Sequence, residues 1–216
     1  MSGRVEHLAE GVTLMLGDCR ELLPSLGPVD ALISDPPYGI AFRSNGQWFV
    51  GADPIAGDDG TDSAEFVRKW VGSLPLVMFF SPYRPMDGWR SVLVWDKGEH
   101  VGIGGDRETC WKRDHELIGV SGNGNLNGRR DSSMLRYLAV SPPPSGHVAE
   151  KPEPLMRYLL WKLGVADVCD PFMGSGTTLV AAKRLGIRAI GVEVEEKWCE
   201  IAAKRLQQEA LPLEVA

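Results

Sequence analysis

Cysteine and histidine are scarce in this sequence, and neither occurs in a metal-binding pattern. The chain of 216 residues contains four cysteines and four histidines. The cysteines stand at positions 19, 110, 169 and 199, and no two of them form Cys-x-x-Cys. We therefore expect no metal site, and reduced, mostly buried thiols rather than a disulfide framework.

Long apolar runs are also missing. No stretch approaches the ~20 apolar residues that a membrane span needs, and the N-terminus lacks the basic-then-apolar pattern of a signal peptide. Apolar residues make up 44% of the chain and charged residues 24%, which is typical of soluble globular domains. We expect a soluble intracellular protein without membrane contact, folded as a single domain over residues 1–216.

Positive charge is not in excess. Lys and Arg total 23 against 29 Asp and Glu, which gives a net charge of −6. This balance argues against non-specific coating of nucleic acid, but it is compatible with a local basic cleft.

Strand and helix patterns alternate along the chain. The C-terminal third predicts a strand at 165–170, a helix at 177–185, a strand at 189–193 and a helix at 195–211. Such alternation predicts an α/β fold, with a mostly parallel sheet and helices on both faces. Further strands are expected at 12–16, 29–34, 76–80, 91–95 and 115–120, and helices at 63–72 and 153–163. The polar segments 40–63 and 121–146 are predicted to be irregular.

A turn of small residues follows the strand that ends at Asp170. It contains Gly174-Ser175-Gly176, and a helix begins near Thr177. Glycines let a ligand approach the backbone, and a helix N-terminus offers free N–H donors. About twenty residues further on, Glu193 ends the next strand, where an acid can accept hydrogen bonds from a ribose diol. The turn lacks the lysine of a P-loop, so it predicts a nucleoside site without a triphosphate.

A second unusual element, Asp35-Pro36-Pro37-Tyr38, follows the apolar strand at 29–34. Prolines remove backbone donors and fix the chain, so the Asp35 carboxylate and the Pro36 carbonyl are both left as acceptors. Tyr38 adds a flat aromatic face. Such an arrangement can accept two N–H bonds from an exocyclic amino group while a ring stacks on the base.

Together the two elements resemble those of the S-adenosylmethionine-dependent DNA amino-methyltransferases, which methylate adenine N6 or cytosine N4. The element at 35 precedes the glycine turn near 174, an order that is characteristic of the beta-type branch of that family. Segments 17–19, 29–34, 91–98, 115–118, 147–152 and 191–193 are also similar to family stretches. The resemblance implies a Rossmann-like methyltransferase fold that binds S-adenosylmethionine.

The resemblance also assigns roles. Asp35 and the Pro36 carbonyl would hold the target amino group, with Pro37 between them and the stacking Tyr38. Lys151 would pair with the methionine carboxylate of the cofactor, and Asp18 would read its adenine amino group. The whole cofactor site expected in this way comprises Asp18, Cys19, Asp35, Lys151, Asp170, Phe172, Gly174, Ser175, Gly176, Thr177 and Glu193.

Several alternatives differ in the methylated group. Adenine N6 is favoured because Asp-Pro-Pro-Tyr is commoner in the adenine enzymes, and cytosine N4 is the alternative. Cytosine carbon-5 chemistry needs a thiolate, usually from a Pro-Cys pair, and no cysteine here follows a proline. RNA and protein methyltransferases usually place the cofactor turn first, and a non-catalytic cofactor-binding subunit would not need the intact residues 35–38.

Segments 40–63 and 121–146 are the candidate DNA-recognition segments. They carry side chains of the types that contact base edges and phosphates, namely Arg43, Asn45, Asn123, Asn125, Arg129 and Arg130. The resemblance implies double-stranded DNA as the partner, suggests a homodimer, and indicates DNA modification of the restriction–modification type in the cytoplasm of a bacterial or phage-infected cell.

Overall fold

The computed structural model describes residues 4–9, 11–37, 62–70, 74, 76–81, 89–101, 111–112, 114–147 and 149–208. The strands are β1 (Arg4–Ala9), β2 (Val12–Leu16), β3 (Ala31–Ser34), β4 (Leu76–Ser81), β5 (Ser91–Asp96), β6 (His115–Ser121), β7 (Met134–Arg136), β8 (Asp167–Asp170) and β9 (Arg188–Glu193). The α-helices are α1 (Cys19–Leu22), α2 (Asp62–Trp70), α3 (Glu153–Leu163), α4 (Thr177–Leu185) and α5 (Glu196–Gln207). No helix within these ranges is long and apolar enough to cross a membrane.

These strands form one sheet in the order β1-β2-β9-β8-β3-β4-β6-β5-β7. The five strands from β2 to β4 in that order are parallel to one another. β6 is antiparallel to both β4 and β5, whereas β7 runs parallel to β5 and β1 runs antiparallel to β2. The mostly parallel sheet confirms the predicted α/β fold.

Helices cover both faces of the sheet. Because consecutive strand residues point to opposite sides, one strand contributes to the core on each face. In β3, Ala31 and Ile33 pack in a core that includes buried residues of α3, α4 and α5. Leu32, which lies between them, packs in a second core with Cys19 of α1 and Val67 of α2. A strand with both faces covered in this way is mostly apolar, and all four residues of β3 are buried, including Ser34.

Two strands depart from the sequence prediction. β1 was not predicted; it pairs with β2 and extends the sheet at that edge. β7 lies inside segment 121–146, which the sequence indicated to be irregular, and it pairs with residues 94–96 of β5. A strand of three residues is too short to show a period of two, so the sequence carries no signal for it.

Candidate active site

Four acidic residues lie at the carboxyl ends of neighbouring parallel strands. Asp18 comes two residues after β2, Asp35 comes directly after β3, and Asp170 and Glu193 are the last residues of β8 and β9. Because these strands are parallel and adjacent in the sheet, their carboxyl ends meet at one edge. Ligands of open α/β sheets bind in the crevice at that edge. The structure thus brings the two elements singled out in the sequence into one site, which we call the catalytic edge.

The turn after β8 depends on glycine. Gly174 and Gly176 have positive φ angles of 50° and 81°, and residues other than glycine rarely adopt such angles. A Cβ atom at Gly176 would lie 2.7 Å from the Cβ of Ala202. Gly176 caps α4 without a side chain, so the N–H groups of the first helical turn have no side-chain acceptor at the cap position. The residues from Phe172 to Thr177 therefore form a turn that depends on glycine, and their contact with the cofactor stays a prediction.

Glu193 joins this turn to the end of β9. Its carboxylate accepts hydrogen bonds from the N–H groups of Gly174 at 3.0 Å and of Val194 and Glu195 at 2.9 Å each. Burial raises the pKa of Glu193, and the three N–H donors oppose that shift. A carboxylate has about four lone-pair positions, so Glu193 keeps acceptor capacity for a ligand hydroxyl.

Asp170 holds the same turn through two hydrogen bonds. Its carboxylate accepts from the Phe172 N–H at 3.1 Å and from the Thr178 hydroxyl at 2.5 Å. Burial raises the pKa of Asp170 to about 7. These contacts fix the turn, and they leave the expected cofactor contact of Asp170 as a prediction.

Arg205 anchors the turn from α5, and sequence reasoning missed it. Its Nη1 atom donates to the carbonyl of Ser175 at 2.8 Å, to the hydroxyl of Ser175 at 2.9 Å and to the hydroxyl of Thr177 at 3.2 Å. Its Nη2 atom pairs with Glu150 at 3.0 Å. Arg205 follows Ser175 by 30 positions and belongs to no motif, so the sequence carries no signal for this contact.

His147 lies over the glycine turn. A Cβ atom at Gly174 would lie 3.0 Å from the Nε2 atom of His147, and the imidazole ring packs edge-on against Trp198 with the ring centroids 4.5 Å apart. Burial lowers the pKa of His147 to about 4, so the ring is neutral at physiological pH. It covers the turn as an uncharged surface.

Asp35 lies against Lys151 at the catalytic edge. The two side chains form an ion pair, and the side chain of Lys151 is 10% exposed. Pro36 is buried, and Asp35 and Pro37 are half-buried. Tyr38, the fourth predicted catalytic residue, lies outside the described residues. Lys151 was expected to pair with the cofactor; the structure places it on the carboxylate of the catalytic motif, so its cofactor contact stays a prediction.

A second carboxylate, that of Glu116 in β6, lies within ion-pair distance of Lys151. Its Oε2 atom is 3.4 Å from Lys151 Nζ, and its Oε1 atom is 2.6 Å from Lys97 Nζ. Burial opposes ionisation of Glu116, but the two ammonium groups outweigh it and lower its pKa. Burial likewise opposes the charge on Lys151, but the carboxylates of Asp35 and Glu116 outweigh it and raise its pKa. Asp35, Lys151, Glu116 and Lys97 are thus linked in this order by ion pairs, so that negative and positive charges alternate.

Asp18 and Cys19 occupy the start of α1. Asp18 caps the helix by accepting from the Arg20 N–H at 2.8 Å, and its hydrogen bonds to the Arg20 side chain lower the pKa of Asp18. Cys19 is buried, and burial raises its pKa to about 11, so it remains a thiol. Phe172 packs against the buried cluster that contains Cys19.

The structure does not bring the predicted DNA contacts of segment 121–146 to the catalytic edge. β6 runs antiparallel to β4, and its last residue, Ser121, pairs with Val77 near the start of β4. The chain then reaches the C-terminal end of α3, where the Asn127 N–H donates to the Lys162 carbonyl at 2.8 Å. This is the opposite edge of the sheet, roughly 17 Å away along a six-residue strand. The predicted contacts of that segment lie here: Asn123, Asn125, Arg129 and Arg130.

The remaining predicted contacts, Arg43 and Asn45, lie outside the described residues. Within the described part of the chain, no group of three or more His, Cys, Asp or Glu side chains could hold a metal ion.

The chain is similar to several type II methyltransferases, over different shares of its length. It is 28% identical to the type II methyltransferase M.HinfI of Haemophilus influenzae over 91% of this chain and 68% of that protein. It is 42% identical to the type II methyltransferase M.HindIII of the same species, in a match that covers 64% of this chain and 44% of that protein. A match to M2.DpnII of Streptococcus pneumoniae, at 49% identity, covers 29% of this chain and 24% of the relative.

Solved structures show the same fold. The complex of M1.HpyAVI with SAM superposes with a TM-score of 0.66 at 22% identity, covering 91% of this chain and 100% of that one. The PvuII DNA methyltransferase, which is cytosine-N4-specific, superposes with a TM-score of 0.71 at 16% identity, covering 93% of this chain and 88% of that one. Residues 85–204, more than half of the chain, match the N6/N4 methyltransferase family model described as DNA methylase. The chain belongs to this family, the S-adenosylmethionine-dependent DNA amino-methyltransferases.

Proposed function

We propose that this protein transfers the methyl group of S-adenosylmethionine to the exocyclic amino group of a base in double-stranded DNA, with adenine N6 as the target. One observation carries the proposal: the end of β3, with its acceptor pair, and the glycine turn after β8 lie on neighbouring parallel strands. A group held by the turn and a base held by Asp35 would therefore meet at the same edge.

The acceptor pair suits an amino group that must become nucleophilic. The lone pair of an exocyclic amine is delocalised into its ring, so the amine reacts poorly by itself. When the Asp35 carboxylate and the Pro36 carbonyl each accept one N–H, they favour a pyramidal nitrogen whose lone pair points out of the ring plane. Pro36 and Pro37 contribute no N–H that would compete for these acceptors.

When bound, the cofactor would supply an electrophilic methyl carbon on a positively charged sulfur; the amine lone pair would bond to that carbon, and the electron pair of the broken C–S bond would stay on sulfur. The protein has only to position the amine and to offer an acceptor for the proton that the methylated nitrogen then loses. No covalent nucleophile is needed. The Cys19 and Cys169 thiols are buried with raised pKa values, which suits that assignment.

The residues at the catalytic edge fit S-adenosylmethionine. Glu193 is 9% exposed and has acceptor capacity for the ribose hydroxyls, and the backbone of Gly174 to Gly176 lets a ligand approach closely. Asp18 would accept from the adenine amino group of the cofactor, and Phe172 packs against the buried cluster that contains Cys19, the residue after Asp18. The neutral His147 ring above the turn adds no charge to repel the sulfonium.

The target base is the finer part of the proposal. The Asp-Pro-Pro-Tyr order favours adenine N6, and cytosine N4 is the alternative because an identical acceptor pair would serve it. The fold does not separate the two bases, since the cytosine-N4-specific PvuII enzyme shares it.

Contact with DNA would come from residues that follow the catalytic motif in the sequence and from exposed residues on the catalytic edge. Arg43 and Asn45 follow the catalytic motif within ten positions in the sequence. Arg136, at the end of β7, lies on this edge with its side chain 85% exposed, and Asp96 is 3.5 Å away. We further propose a homodimer in the cytoplasm of a bacterial or phage-infected cell, and sedimentation of the purified chain tests the dimer.

Nucleoside mass spectrometry tests the function. DNA is isolated from a host without methylases of its own that expresses the wild-type chain, Asp35→Ala or the control Asp114→Asn, a substitution outside the site. We expect N6-methyladenine with the wild type and the control, and none with Asp35→Ala. N4-methylcytosine in its place would assign the alternative base, and neither product, despite binding of S-adenosylmethionine, would refute DNA as the substrate.

A further inference from the structure

Lys151 lies between two carboxylates that bind it unequally. It forms an ion pair with Asp35, whereas the Oε2 atom of Glu116 lies 3.4 Å from its Nζ atom. That oxygen is buried and has no hydrogen-bond partner among the residues that the structure describes. The other oxygen of Glu116 is bound by Lys97 at 2.6 Å. The ammonium at 3.4 Å attracts this oxygen without donating a hydrogen bond to it, and a small movement of the ammonium would form that bond.

The proposed reaction makes a competing demand on Asp35. Its carboxylate must accept an N–H from the incoming amine while Lys151 occupies it. A charge-assisted ion pair is stronger than a hydrogen bond from a neutral amine, so Asp35 is a better acceptor once the ammonium has another place to go.

We propose that Glu116 is a positioning residue that takes the Lys151 ammonium from Asp35 when the target amino group binds. This inference rests on the proposed function. Lys151 then has two positions, one on each carboxylate, and the charge of the site is the same in both. Lys97 keeps Glu116 ionised and fixed through its Oε1 atom, so the second position is built before the substrate arrives.

The surroundings of Lys151 suit a short movement. Its Nζ atom lies 5.1 Å from the centroid of the Phe80 ring and 5.9 Å from that of Trp95, which are aromatic faces that favour a cation between them. Phe80 is 1% exposed and Trp95 2% exposed, so the rings are held in place. Water has little access, and Glu116 is the second carboxylate within ion-pair distance of Lys151.

Glu116→Gln tests the proposal because it keeps the size of the side chain and removes its charge. We expect the single-turnover rate of methyl transfer to fall about a hundredfold, with the dissociation constant for S-adenosylmethionine unchanged. Glu116→Asp keeps the charge on a shorter side chain, so its rate should lie between those of the wild type and Glu116→Gln. The control is Glu153→Gln, since Glu153 also has a buried oxygen that makes no hydrogen bond, but its ion pairs are with Arg157 and Arg184.

The outcomes separate this inference from the proposed function. A wild-type chain that methylates no DNA refutes the proposed function. If the wild type is active and both Glu116→Gln and Glu116→Asp methylate at the wild-type rate, the positioning role of Glu116 is refuted. Parallel losses of rate and cofactor affinity would instead assign Glu116 to the cofactor site and overturn the proposal. If Glu116→Gln does not fold, the split between rate and affinity in Glu116→Asp decides in the same way.

Discussion

The Glu193 carboxylate accepts the N–H of Gly174 at 3.0 Å. The acid at the end of β9 therefore holds the glycine turn in place, besides the ribose contact expected of it. A residue with both roles links the shape of the turn to the binding of a ligand, so its substitution should affect more than one property of the protein.

Glu193→Gln should weaken binding of S-adenosylmethionine by about 1.5–3 kcal/mol, the range for hydrogen bonds to charged groups. Glutamine has one acceptor oxygen, so its NH₂ group must face an N–H of Gly174 or of Val194 and Glu195. Isothermal titration measures the affinity, and the control is Glu196→Gln, whose side chain is 65% exposed. Unchanged affinity in Glu193→Gln would show that the acid acts on the turn alone.

Gly176→Ala should destabilise the fold by about 1–2 kcal/mol, the cost of a left-handed conformation for a residue with a Cβ atom. The backbone at Gly176 has a φ of 81°, and the new Cβ atom would lie 2.7 Å from that of Ala202. Gly27→Ala is a matched control because nothing lies within 4 Å of its Cβ position. Urea unfolding compares the two variants, and equal midpoints would contradict the prediction.

Arg205→Lys should loosen the glycine turn although the charge is kept. A single ammonium cannot reproduce the fork that binds Ser175 and Thr177 through one nitrogen and Glu150 through the other. We expect a loss of about 1–3 kcal/mol in the free energy of unfolding, with weaker binding of S-adenosylmethionine. Lys204→Gln, at an exposed neighbouring position of α5, should change neither quantity. An Arg205→Lys variant as stable as the wild type would contradict the assignment.

The parts of the site that sequence reasoning predicted are those in which the chemistry is local. Asp35, Pro36 and Pro37 are consecutive, and so are Gly174, Ser175 and Gly176, so their types and order alone indicate acceptors and a backbone cradle. The helices that follow, such as Thr177–Leu185, lie where their sequence pattern predicts.

The parts that it missed depend on sheet order and strand direction. Lys97 reaches Glu116 because β5 and β6 pair in a register that puts Trp95 opposite Glu116. Segment 121–146 begins at the edge opposite the site because β6 runs antiparallel to β4. Apolar alternation is the same for a strand in either direction, so the sequence could not place Arg129 and Arg130 with respect to Asp35.

Asp170 should make the stability of the fold depend on pH in a direction opposite to that of most acidic residues. Burial raises its pKa from the ordinary value of 3.8 to about 7, so the folded state holds this proton more tightly than the unfolded state. The stabilising contribution is fully present below pH 3.8 and is lost as the pH rises to about 7. Asp170→Asn cannot ionise, and it can still accept from the Phe172 N–H.

The free energy of unfolding of the wild type and of Asp170→Asn, measured with urea at pH 5, 6, 7 and 8, checks this prediction. The wild type should lose stability relative to the variant between about pH 5 and pH 7, with a constant difference above that range. Burial lowers the pKa of His147 to about 4, so this residue makes the fold less stable as the pH falls. Both proteins contain His147, so its effect cancels in the difference. Parallel curves throughout would show that Asp170 is ionised in the fold, held so by the Thr178 hydroxyl and the Phe172 N–H.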